Sequence, residues 1–180
     1  MKTKCALATG ALLGAVVLGM GILGIGTASA GPEKVDYPKN YQSQYIWLGD
    51  IDRHDNNTIR RVYINPEAYA AAKSGQPFPD NTILVLEMRA IQMADGKPVM
   101  KEGRFVPAYN VVGIAVQQKK NGFGTEYAAN IRNGNWEYAV FDIDGVRRNA
   151  PTQACLTCHK PRDGEDFTFM AWRVIADLKK

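Results

Sequence analysis

Two thiols and an imidazole stand together in Cys155-Leu156-Thr157-Cys158-His159, the C-x-x-C-H pattern of c-type haem attachment. The cysteines lie about one helical turn apart, so both thiols can add to the two vinyl groups on one haem edge. The residue that follows then carries its imidazole beneath the iron. Neutral imidazole is a strong axial ligand, which makes His159 the candidate metal ligand and one covalently attached haem c the expected cofactor.

Other chemistries open to these residues fit less well. A redox dithiol calls for a βαβ context, whereas this motif follows a run of strand signals near the C-terminus. A structural zinc site needs four ligands; beyond the leader described below there are two cysteines and two histidines, and His54 is distant in sequence. A disulfide between cysteines this close would be strained. For a sixth iron ligand the sequence offers His54, Met88, Met93, Met100 and Met170. His54 lies in a polar run, residues 52–57, that reads as an exposed loop. None of the methionines sits in a distinguishing motif, and methionine is ordinary core filler.

The elements that must position the motif are mainly strands. Ile59 to Ile64 is β-rich and stops at Asn65-Pro66, where a short helix from Pro66 to about Ser74 begins and Gly75 ends it. Thr82 to Met93, Val111 to Gln118 and Trp136 to Ile143 are further strands, divided by turn signals at Asp95-Gly96 and at residues 121–124. Thr152 to Lys160 reads as a short helix carrying the cysteines. Asp166 is placed to N-cap a terminal helix whose Met170, Val174 and Leu178 form an apolar stripe. Strands with short turns and few helices predict an α+β domain built on a mainly antiparallel sheet.

The first thirty residues read as a cleaved signal. Lys2 and Lys4 precede an apolar, glycine-punctuated run that ends in Ala28-Ser29-Ala30. Cleavage after Ala30 would remove Cys5 and deliver a periplasmic protein, residues 31–180, with one domain. A retained membrane anchor is the competing reading. Residues 31–40 read as a loose lead-in. The formal charge of +4 falls to +2 once Lys2 and Lys4 are lost, and the charges are interspersed. That balance gives no reason to expect a nucleic-acid partner.

Ordered landmarks across nearly all of residues 31–180 add a resemblance. They are residues 38–41 (Pro-Lys-Asn-Tyr), residues 59–69 (Ile-Arg-Arg-Val-Tyr-Ile-Asn-Pro-Glu-Ala-Tyr), Asp80-Asn81-Thr82, Gly134-Asn135-Trp136, and residues 151–155 leading into the haem motif. In these the chain resembles the cytochrome P-460 and cytochrome c′-β family. The resemblance implies a mostly antiparallel β domain, a haem-bearing helix near the C-terminus, a homodimer and a five-coordinate haem with an open distal side.

It also implies two branches. One tethers a lysine to the haem macrocycle and oxidises hydroxylamine; the other lacks the tether and binds nitric oxide or carbon monoxide in an apolar pocket. The tethering lysine stands four residues beyond a threonine and just before a glutamate. Here Thr82 and Glu87 match those neighbours and the position is Leu86, with no lysine from Thr82 to Gln92. Lys73, Lys97 and Lys101 belong to flanking segments. Leu86 is equally readable as an ordinary core residue. Arg60 matches an arginine of the preceding strand that reaches the pocket or a propionate, although an exposed strand cation beside Arg61 would look the same. Ala150, just before the attachment helix, supplies no carboxylate to take a proton from a substrate. The expectation is therefore an exported mono-haem cytochrome that binds a diatomic gas, nitric oxide first. Hydroxylamine oxidation and electron transfer to a redox partner protein are the alternatives.

Overall fold

The computed structural model describes residues 31–169. The signal segment, Cys5, Met170 and the expected terminal helix lie outside the described residues. Five strands form one antiparallel sheet in the order β1-β2-β3-β8-β9: β1 Ile46–Arg53, β2 Thr58–Ile64, β3 Ile83–Ile91, β8 Pro107–Lys119 and β9 Trp136–Phe141. Between β3 and β8 stand two small hairpins, β4 Met93–Ala94 with β5 Lys97–Pro98 and β6 Met100–Lys101 with β7 Arg104–Phe105. The helices are α1 Tyr41–Gln44, α2 Pro66–Lys73 and α3 Thr152–His159. This is the expected α+β class with a mainly antiparallel sheet.

α2 starts where Asn65-Pro66 directs it and ends at Ser74, with Gly75 at φ 84°. That left-handed conformation is the one glycine adopts without a Cβ penalty. Several boundaries differ from expectation. β3 begins after Thr82, whose hydroxyl bonds the Pro79 carbonyl at 2.7 Å, and it stops at Ile91. β8 starts four residues early, at Pro107. β9 stops at Phe141, so Ile143 lies in the following turn, 58 % exposed. The expected loop at residues 52–57 is instead the end of β1 followed by a tight turn at 54–57, and β1 itself carried no clear sequence signal.

The lead-in is also not loose. Val35 is fully buried, and the Arg147 guanidinium clamps the Pro32 and Val35 carbonyls. Asp166 does not cap a helix in the described chain. It closes the 3-10 turn Lys160–Glu165 in a left-handed conformation, and its carboxylate accepts from Lys119 Nζ at 2.7 Å and from Trp136 Nε1 at 3.2 Å.

Successive side chains of a strand leave by opposite faces, and both faces of this sheet are used. One packs Tyr41, Tyr63, Val85, Ile114, Val116 and Phe141 into an apolar core. The other packs Ile64, Leu84, Trp136 and Tyr138 against Ala68 and Ala72 of α2 and Leu156 of α3. α3 is thereby fixed across the sheet by its buried Leu156, with Cys155 packed beside it. Among the described residues no helix is long and apolar enough to cross a membrane.

Candidate functional site

On the α3 side of the sheet the packed layer gives way to a cavity of about 410 Å³. That volume falls within the range of about 300–1,000 Å³ for pockets that bury a cofactor-sized ligand. Its sheet wall is built by alternation: Ile51 and Arg53 from β1, Arg60 and Val62 from β2, Leu84 and Leu86 from β3, and Gln117 from β8. The register makes Val62 the cross-strand partner of Leu86, and Leu86 in turn faces Ala115 across the next pair. The opposite wall is Cys158 and His159 of α3 with Thr168 and Phe169.

Four of the five expected site residues, Leu86, Arg60, Cys158 and His159, therefore line one cavity. Cys155 stands one turn back on α3, half-buried, and lines a small neighbouring hollow with Tyr138 and Ala150. No disulfide joins the two cysteines. Burial pushes the Cys155 thiol above its ordinary range, outweighing a backbone hydrogen bond that opposes it.

His159 is held in one orientation. Its Nδ1 lies 2.7 Å from the Phe167 carbonyl oxygen, which can only accept, so Nδ1 carries the proton and Nε2 is left as the bare nitrogen. The Tyr138 ring packs at 4.8 Å and the Phe169 ring stands edge-on at 4.9 Å. Burial holds the imidazole below its usual pKa against that one hydrogen bond, which favours the neutral form. A neutral imidazole with its far nitrogen pinned to a carbonyl is the usual arrangement of a metal-binding histidine. Two thiols at a cavity edge, this histidine and an apolar sheet wall fit the expected haem.

The arginines mark the polar part of the wall. Arg53 is paired with Asp55, Nε to Oδ1 at 2.9 Å and Nη2 to Oδ2 at 2.7 Å. Arg60 is half-buried and bonds Thr58 Oγ1 at 3.3 Å. Burial first, then the neighbouring Arg53 charge, lowers its pKa from the ordinary arginine value. It is the cation less committed to a protein carboxylate.

Of the alternative sixth ligands, Met170 lies outside the described residues and none of the others lines the cavity. His54 is exposed, its ring tilted against Phe105 at 4.5 Å, while Met93 and Met100 are surface residues of the hairpins. The described cavity lining contains no methionine. Phe78 and Phe105 are core residues outside the wall. Sequence reasoning missed Ile51, Arg53, Val62, Leu84, Gln117, Thr168 and Phe169. Period-two alternation from Leu86 and Arg60 reaches Leu84 and Val62; nothing local singles out the others.

The profile of a family described as Cytochrome P460 matches residues 38–170. No curated protein matches the chain.

Proposed function

Since the chain belongs to the cytochrome P460 family of haem-binding cytochromes, we propose that it is an exported mono-haem c-type cytochrome of the cytochrome c′-β kind, binding a diatomic gas, nitric oxide foremost. The observation that carries this reading is Leu86 in the cavity wall, the residue that the resemblance matches to the tethering lysine of the hydroxylamine-oxidising branch. When bound, the haem would supply an iron able to take a gas ligand.

Cys155 and Cys158 would hold the haem covalently through thioethers, and His159 Nε2 would ligate its iron. Leu86, Leu84 and Val62 exclude water from the wall they share and hold no proton to give or take. The Gln117 amide is already spent on Phe167 and Tyr138, and Arg53 on Asp55. Arg60 is the residue for a haem propionate, an anion that would offset its buried charge. With Arg60 given to a propionate, the described wall leaves no donor or proton acceptor for the ligand, which favours binding of a weakly polar gas over turnover of hydroxylamine. Export to the periplasm and pairing with a second copy of the chain complete the reading.

The absorption spectrum of the purified ferrous protein tests it. A five-coordinate high-spin spectrum that changes on adding nitric oxide is expected. A low-spin spectrum with sharp α and β bands, unchanged by the gas, would assign the protein to electron transfer instead.

A further inference from the structure

Gln117 and His159 share one acceptor. The Phe167 carbonyl oxygen receives His159 Nδ1 at 2.7 Å and Gln117 Nε2 at 2.9 Å. A carbonyl oxygen has two lone pairs, so both bonds form, but each donor draws on electron density that would otherwise strengthen the other. The carboxamide is well fixed for this role. Gln117 is 3 % exposed, and its Nε2 also reaches the Tyr138 hydroxyl at 3.4 Å. Asn133 Nδ2 donates to that same hydroxyl at 2.9 Å, and the Tyr138 ring rests on the imidazole.

The carbonyl is fixed as well. Phe167 has φ 56°, a left-handed conformation unusual for a bulky residue, and its N–H donates to the Arg162 carbonyl at 2.7 Å. An acceptor for the far N–H of a ligating histidine raises the basicity of the ligating nitrogen in proportion to how strongly that proton is pulled. Whatever weakens the pull weakens the ligand.

We propose that Gln117 is a positioning residue which, through the Phe167 carbonyl, limits the polarisation of His159 Nδ1–H and so moderates His159 as an axial ligand. This rests on the haem reading above. The residue acts through another group: a glutamine whose amide is bound to a backbone oxygen and a phenol has no free donor to offer a gas.

Resonance Raman spectra of the ferrous holoprotein read the iron–histidine stretch directly, and a redox titration reads its consequence. Gln117→Met keeps the length and removes the donor, so the stretching frequency should rise and the reduction potential fall. Tyr138→Phe leaves the aromatic packing and frees the Gln117 amide to bond Phe167 alone, so both readouts should move the opposite way. Intact mass establishes covalent haem in each protein first. If haem is attached and either variant leaves the stretch unmoved, or both shift it in the same direction, the proposal falls while the haem reading stands. A wild-type protein without covalent haem would overturn that reading and this proposal with it.

Discussion

Leu86 and Glu87 are consecutive residues of β3 whose side chains leave the sheet by opposite faces. Leu86 lines the cavity, while Glu87 is fully buried on the other side, accepting from Tyr41 Oη at 2.7 Å, from Gln42 Nε2 at 2.6 Å and from Arg89. The two landmarks that sit side by side in sequence thus do separate jobs, one in the pocket and one in the scaffold. An untethered macrocycle keeps its ordinary conjugation, so the strongly red-shifted band of the cross-linked branch should be missing from the wild-type spectrum. Hydroxylamine added to the oxidised protein with an artificial electron acceptor should give no sustained turnover. Steady consumption would remove the cytochrome c′-β assignment.

Glu87 predicts acid sensitivity. Burial alone would raise its pKa, but the bonds from Gln42, Tyr41 and Arg89 outweigh it and hold the carboxyl below its ordinary range. A depressed folded-state pKa means the stabilisation is fully present above the unfolded carboxylate pKa and is lost as pH falls through the folded value. Glu87→Ala should cost about 3 kcal/mol at neutral pH, because it strands the part-buried Arg89 guanidinium and two polar partners. It should also flatten the acid limb of the stability curve. Denaturant melts between pH 3 and 7, values chosen to bracket the carboxylate range of about 4, would show both effects.

The strands legible in the sequence are those whose own residues carry the signal, such as Thr58–Ile64 with its β-branched run. β1 was hidden because Gly49, Asp50 and Asp52 look like loop residues. Their place in a strand depends on partners elsewhere: Asp50 on Arg61 and Asp52 on Arg104. The lead-in was misread for the same reason, since Arg147 pins it from more than a hundred residues away. In the site, spacing exposed the cysteines and His159, and resemblance pointed to Leu86 and Arg60. Gln117 was invisible because its meaning is a shared carbonyl fifty residues downstream, which no local pattern encodes.

A second buried acid should respond to pH in the opposite sense. Glu137 is fully buried on β9; its carboxylate accepts from Gly124 N at 3.2 Å and from Tyr127 Oη at 3.1 Å. Burial pushes its pKa up, aided by Glu126, and the hydrogen bonds do not recover the loss. With the folded pKa above the unfolded one, stability is greatest below the unfolded carboxylate pKa and declines as pH rises through the folded value. Glu137→Gln should therefore leave stability nearly unchanged in acid and increase it at neutral pH, read as a higher denaturation midpoint. A neutral-pH loss would mean that the ionised carboxylate is favourable where it lies.

The attachment prediction separates the roles of the two thiols and the imidazole. Cys155 is half-buried against the α2–α3 core, whereas Cys158 is exposed at the cavity wall, yet both lie on α3 with His159 next in line. Replacing either sulfur by a methyl hydrogen removes little packing, and a loss of about 1 kcal/mol is expected for the Cys155 site. The double variant Cys155→Ala with Cys158→Ala should consequently fold, but carry no haem mass after denaturing purification. His159→Ala should keep the covalent haem and change its spectrum, because the thioethers do not depend on the axial bond. Each single cysteine variant should retain haem through the remaining thioether. Haem mass persisting in the denatured double variant would show that these thiols are not the attachment points, and a His159→Ala spectrum identical to wild type would show that the iron takes its ligand from elsewhere.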